Sequence, residues 1–419
     1  MIYLDYHATT PVDVRVAEQV MEAMTTHFGN ASSIDHEVGD RAEAAVKQAT
    51  RYVADLVGAT PRDILFTSGA TESLNLAIQG TVQHLERSGI KPRHCSFDVG
   101  FLVSRVLQLF ASKVCGIRLP SEAPHTRPRI AISNVEHKAV LDTCDALHKQ
   151  GRIELIHIPV DTQARLDLDQ LEKACASGIH LLCVMAANNE VGTIYPIEKI
   201  AAIAQRYQVP FLCDASQAVG KIPIHFNEWG ITMLALSAHK LYGPQGVGAL
   251  IVRRDHRLEP LLYGGGQQKG LRPGTLNLPG IVGLGEACRL RAEEMAEDEV
   301  EIGQKRDHLQ SLLQSKISDL LINGDLQDRL AGNLHVSIPG IPNSAIIARV
   351  RRSLAISTGS ACSSGVEAPS HVLRAMGLAE PVVEGALRIG LGKFSTDDDV
   401  HQAAEILSKA VQAVKQLMA

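Results

Sequence analysis

Residues 231–254, ITMLALSAHKLYGPQGVGALIVRR, put a lysine on a tight turn between two apolar runs. The runs ITMLALS (231–237) and GVGALIVRR (246–254) read as short buried strands. Between them lies Ser237-Ala238-His239-Lys240-Leu241-Tyr242-Gly243-Pro244, where Gly243 and Pro244 force a turn. Lysine is rarely buried without a role. Desolvation at such a place lowers an amine's pKa and suits it to a Schiff base. Ser237 and His239 are placed to donate to a phosphate. The plain alternative is an ordinary lysine on a surface turn.

Working outward, strand and helix signals alternate. Short apolar runs stand at DILFTSG (63–69), RIAIS (129–133), IELIHIPV (153–160), HLLCVMAA (180–187) and VPFLCDAS (209–216). Helical stretches such as PIEKIAAIAQRYQ (196–208) separate several of them. This predicts an α/β protein whose mostly parallel sheet is covered by helices on both faces. Ligands in such sheets gather at the carboxyl ends of the strands. Gly264-Gly265-Gly266 marks a change of pattern. Beyond it come a long charged helix over 281–317, strands at 333–339 and 386–392, and a C-terminal helix, which read as a smaller α+β domain. The expected division is a large domain over 13–263 and a small one formed by 1–12 and 264–419.

Composition narrows the class. The 419 residues carry a net charge of −5, which argues against a nucleic-acid surface as the main business. The N-terminal MIYLDYHATTP lacks a charged stretch followed by an apolar run, so no signal peptide is read. The run LLCVMAA (181–187) is far shorter than the roughly 20 residues a membrane span needs. A cytoplasmic protein without membrane association is expected. None of the eight cysteines sits in a CxxC pair, so no metal site is expected. Most fall in apolar or helical segments and read as buried thiols. Cys362 differs, because Ser-Thr-Gly-Ser-Ala-Cys-Ser-Ser-Gly (357–365) is small and polar and should leave the thiol exposed and mobile.

Three further motifs join the lysine. Asp214 ends the run VPFL, 26 positions before Lys240, and suits a partner for a protonated pyridine nitrogen. It reads equally as an exposed turn aspartate. Thr67-Ser68-Gly69-Ala70-Thr71-Glu72-Ser73 joins a strand to a helix start, where free N–H groups and hydroxyls cradle phosphate. A plain N-cap explains it too. His137, in Asn134-Val135-Glu136-His137-Lys138, is placed to stack on a flat cofactor and move protons, although a lone histidine is more often structural.

Together these segments resemble the cysteine desulfurases of the NifS/IscS type. These are class-V aminotransferases with the aspartate-aminotransferase-like fold (type I) that binds pyridoxal 5′-phosphate. The resemblance runs from YLDYHATTPVD (3–13) and FGNASSIDH (28–36) through FTSGATES, EHKAVLDTC, NNEVGTI, DASQAVGK, SAHKLYGPQGVGAL, GGGQQKGLRPGTLN and STGSACSSG to PSHVLRAMGL and LRIGLGKF. It implies that Lys240 holds the cofactor, that Asp214 pairs with its ring nitrogen and that Gln217 bonds its ring hydroxyl. Asn189 lies beside that oxygen and meets the substrate carboxylate. Ala70, Thr71, Ser237 and His239 bind phosphate, and Thr275 reaches the phosphate of a neighbouring subunit, which implies a homodimer. His137 stacks on the ring and serves as an acid–base partner, and Arg388 clamps the substrate carboxylate. The implied activity converts L-cysteine to L-alanine and leaves the sulfur as a persulfide on Cys362. The implied partners are sulfur acceptors of the iron–sulfur scaffold or tRNA-thiolation type, including a cluster bridged through Cys362 to a scaffold.

One segment departs from the family pattern. Residues 94–129 add an excursion containing FLVSRVLQLF (101–110), which is apolar at helical spacing. A tolerated surface helix is the favoured reading. A docking element for an acceptor and a misread gene boundary are the others. The strand ahead of His137 is the element such an excursion would disturb. A selenocysteine lyase would share nearly all these residues, an aminotransferase would not need Cys362, and an inactive relative would keep only the fold.

Overall fold

The computed structural model describes residues 1–89, 127–359 and 369–418. A short β1 (Ile2–Tyr3) precedes the main sheet. That sheet contains β2 (Ile64–Thr67), β3 (Arg129–Ser133), β4 (Glu154–Ile158), β5 (Leu181–Met185), β6 (Phe211–Asp214), β7 (Met233–Ser237) and β8 (Gly248–Val252). Its order is β2-β8-β7-β6-β5-β3-β4. The strands β3 to β7 run parallel, whereas β8 is antiparallel to both β7 and β2. Each apolar run read from the sequence forms one of these strands.

The side-chain period of two sorts each strand between two cores. Ile130 and Ile132 of β3 and Leu181 and Cys183 of β5 join Leu74 and Ile78 of the helix Ala70–Ser88 on one face. Ala131, Leu182 and Val184 face the other way, toward Ile200 of the helix Ile197–Arg206 and Leu284 of the long helix Leu278–Lys316. Covered on both sides, β5, β6 and β7 are buried at every position. The strand ahead of His137 is in place: β3 pairs with β4 on one side and β5 on the other.

A further core gathers Ile2 and Leu4 with Ile302, Leu309, Val336, Leu387 and Leu407. It packs around an antiparallel sheet of β9 (Leu321–Ile322), β10 (Asn333–Ser337) and β12 (Ala386–Gly390), while β1 pairs with β11 (Leu354–Ala355). The helix Leu278–Lys316 feeds the main core as far as Leu290 and this one from Ile302. Cys144, Cys175, Cys183, Cys213 and Cys288 are buried free thiols. Cys95, Cys115 and Cys362, and nearly all of 94–129, lie outside the described residues.

Candidate active site

The carboxyl ends of the parallel strands open into a cleft of about 640 Å³. Lys240 enters it from a single 3-10 turn, Ala238–Lys240, directly after β7. The turn is stitched to the N-terminal segment. Thr10 N–H and Oγ1–H both donate to His239 O, and Thr10 Oγ1 accepts from Tyr242 N–H at 2.8 Å. That last bond holds Tyr242 in a left-handed conformation, φ 66°, which a non-glycine residue rarely adopts. Lys240 Nζ donates to His7 O at 2.5 Å and Ala8 O at 2.7 Å.

Around the lysine stand the other residues singled out in the sequence. Asp214 ends β6, 5% exposed, with Oδ1 accepting from Ser216 N–H at 3.0 Å and Ser216 Oγ–H at 2.5 Å. Gln217 follows, bonded through Nε2 to His7 O at 2.9 Å. At one end of the cleft are Ala70, Thr71, Ser237 and His239. Ala70 opens a 19-residue helix after Gly69, whose φ of 151° suits only glycine. A side chain at Gly248, opposite on β8, would strike Gly69 Cα, so glycine at both places lets the turn sit on the sheet. Burial, then the charges of Lys240 and Lys221, push His239 down to about 4, so its ring is neutral near pH 7.

Asn189 and Arg388 also line the cleft. Arg388 lies on β12, 3% exposed, and donates to Asn189 O at 2.9 Å and Asp5 Oδ1 at 3.0 Å. His137 caps the helix Lys138–Lys149, its Nδ1 accepting from Ala139 N–H at 3.1 Å. The cap and the cleft role are therefore compatible. With Nδ1 accepting, the proton of the neutral ring sits on Nε2. Thr275 is exposed and is not among the cleft residues. Cys362 lies outside the described residues, but both shoulders of its loop are tied beside the cleft. Ser357 exchanges backbone bonds with Arg388 and donates to Asp5 Oδ1, and Ser370 Oγ donates to Glu190 Oε2 at 2.5 Å.

Sequence reasoning passed over Asp5, His7, Thr9, Lys221 and Glu136. Glu136 is fully buried, with Oε1 accepting from Ser133 Oγ–H at 2.5 Å and Met185 N–H at 2.9 Å, while Oε2 has no partner. Burial raises its carboxyl to about 8. The unfolded chain releases this proton near the ordinary 4.5, so the folded state binds the extra proton between those values and stability falls as pH rises across that window. Glu136→Gln removes the dependence. Its stability relative to the parent should grow by up to about 1.4 kcal/mol per pH unit over that range. Urea unfolding at pH 5.5 and 7.5 checks this, and an equal difference at both would show an ionised carboxylate in the fold.

The residues fit pyridoxal phosphate on chemical grounds. A helix N-terminus with hydroxyls and a neutral imidazole suits a phosphate. A buried carboxylate suits a pyridinium, and Arg388, with Nε lacking a partner, suits a carboxylate. Among the described residues, no group of three or more His, Cys, Asp or Glu is arranged for a metal ion, and no helix is long and apolar enough to cross a membrane.

Comparison with known proteins agrees with that chemistry. The pattern of the aminotransferase class-V family matches residues 2–90 and 117–403, passing over 91–116 within the excursion. The chain is 38% identical over 418 residues to the cysteine desulfurase IscS of Anaeromyxobacter dehalogenans (strain 2CP-C), covering 99% of this chain and 94% of that one. It is 36% identical to the mitochondrial cysteine desulfurase of Arabidopsis thaliana, covering 99% and 83%. A solved NifS-like protein superposes with a TM-score of 0.83 at 31% identity, covering 98% of this chain and 99% of that one. The chain belongs to the class-V aminotransferase family, among its pyridoxal-phosphate-dependent cysteine desulfurases of the NifS/IscS type.

Proposed function

We propose that this cysteine desulfurase divides its chemistry between Lys240 and Cys362, with the other cleft residues holding cofactor and substrate. The observation that carries the reading is the convergence of Lys240, Asp214, His137, Arg388 and the helix start at Ala70 on one cleft. Ala70, Thr71, Ser237 and His239 would take the phosphate, Asp214 the ring nitrogen, Gln217 and Asn189 the ring hydroxyl, and His137 the ring face. Arg388 and Asn189 would take the carboxylate of L-cysteine. Bound pyridoxal phosphate supplies the electron sink that makes the substrate Cα proton removable. Lys240 Nζ would take that proton, and His137 Nε2 would be the second acid–base group.

The Cys362 thiolate then attacks the substrate Sγ. A sulfur–sulfur bond forms, the Cβ–Sγ bond breaks with its electron pair left on the carbon, and Cβ takes up a proton while Cα regains the one it lost, giving alanine. The persulfide on Cys362 passes to an acceptor protein. Iron–sulfur scaffold and tRNA-thiolation acceptors both suit this chemistry, as does a cluster bridged through Cys362. The same reading divides the chain into 13–263 and 1–12 with 264–419, joined by the helix Leu278–Lys316.

A homodimer is supported by the first helix, Val14–Thr25, which leaves Val14, Met21 and Met24 at least 60% exposed on the single chain. Thr275, exposed and away from its own cleft, suits contact with a partner's phosphate. We propose a cytoplasmic site of action, although one relative is mitochondrial.

The test is turnover of L-cysteine with the persulfide trapped and mapped by mass spectrometry. Alanine and a Cys362 persulfide in equal amounts are expected, and alanine without persulfide on Cys362 would sink the assignment. Excising 94–126, which leaves β3 whole, should keep turnover within about threefold if the excursion is a tolerated surface segment. Loss of activity in a folded variant would show that the segment serves the reaction.

A further inference from the structure

Lys221 stands four residues after Gln217 and has no place in the chemistry above. Its Nζ lies 2.9 Å from Gln217 Oε1. Protonated or neutral, the amine has N–H groups to donate, and the glutamine atom that faces it is the carbonyl oxygen. His7 Nδ1 lies 3.2 Å from the same oxygen. Burial holds the His7 ring neutral, with its pKa well below the ordinary value. A neutral ring facing an oxygen that can only accept must carry its proton on Nδ1. Two donors therefore converge on Oε1, and Nε2 is turned the other way. One Nε2 hydrogen goes to His7 O at 2.9 Å. The second remains for an acceptor in the cleft that Gln217 lines.

We propose that Lys221 is a positioning residue: with His7 it locks the Gln217 amide so that Nε2–H, and never Oε1, meets the cofactor's ring hydroxyl oxygen. The inference rests on the reading of Gln217 as the partner of that oxygen. Without Lys221 the amide turns over at little cost and sets oxygen against oxygen for part of the time.

Lys221 also brings positive charge toward Lys240. The charged and titratable groups facing it are Glu299 and Arg291 of the long helix, Lys240 and His239 of the turn after β7, Arg388 of β12 and His7 of the N-terminal segment. Burial shifts the Lys221 ammonium below the usual lysine range, with Glu299 opposing and Lys240, Arg291 and Arg388 adding to the shift.

The test uses the cofactor-loaded enzyme and four variants: Lys221→Met, Gln217→Leu, His7→Leu and the Lys221–Gln217 double. Two quantities are read: cofactor dissociation on dilution, and the pH midpoint of the visible absorbance. Lys221→Met is expected to loosen the cofactor about tenfold. It should also raise the midpoint by about half a unit or more, because the ring oxygen keeps its donor less often. Gln217→Leu should raise the midpoint too, and the double variant should be no worse than Gln217→Leu alone. His7→Leu should move the midpoint the same way by less, and it carries the test if Lys221→Met does not fold. A parent-like midpoint in Lys221→Met beside a raised one in Gln217→Leu would overturn the role of Lys221, as would additive effects. A parent-like Gln217→Leu would overturn the reading of Gln217 itself.

Discussion

Lys240→Ala is expected to remove the visible absorbance of bound cofactor and to lower alanine production at least about 10³-fold, because one atom performs two tasks. Nζ is the only amine that the turn after β7 delivers to the cleft beside Asp214. In the proposed reaction Nζ is the anchor that fixes the cofactor over the strand ends and the base that collects the substrate Cα proton. The pair His7 O and Ala8 O holds the ammonium at 2.5 and 2.7 Å, so the side chain reaches the N-terminal segment in one defined orientation. Lys240→Arg should be equally inactive, since a guanidinium keeps the charge but cannot release a proton or join the cofactor covalently. Absorbance spectra and alanine release over several hours check both variants. Retention of more than a tenth of the parent rate by either would mean that another group removes the proton.

Much of this site could be read before any coordinates, for a definite reason. Lys240, Asp214 and Ala70 sit where a buried strand or its following helix begins or ends, and in an open α/β sheet those ends converge. Periodicity places them at those ends, and only the family resemblance gives them roles. The N-terminal wall was illegible because it acts through main-chain oxygens and small hydroxyls in a segment with no period. His7 O and Thr10 Oγ1 meet residues more than 200 positions away, and no pattern in YHATT points to them. Nothing in Ala-Val-Gly-Lys-Ile-Pro (218–223) marks Lys221. Only its placement under Gln217 and beside Glu299 distinguishes it. Glu136 was hidden beside His137, because its burial between β3 and β5 shows only in the fold. The excursion before β3 threatened a displaced His137, but β3 is paired on both sides.

Cys362→Ala should separate the two halves of the reaction. Bound cofactor keeps its visible absorbance, and the substrate Cα hydrogen still exchanges with deuterium in D₂O, because Lys240 is untouched. Alanine and persulfide formation fall by at least about 100-fold. The five thiols among the described residues are poor substitutes. Nucleophilic attack needs a thiolate. Burial pushes Cys144 and Cys175 up to about 12, and raises Cys183, Cys213 and Cys288 well above the ordinary range. Between the anchors at Ser357 and Ser370, by contrast, lies the stretch that contains Cys362, with Gly359 at φ 86° at its start. The Ser357 anchor is bonded to Arg388 itself, the residue proposed to clamp the substrate carboxylate. Exchange without alanine is the decisive pair of results. Alanine at the parent rate in Cys362→Ala would move the sulfur chemistry to another thiol, and loss of exchange as well would place Cys362 in the proton-removal step.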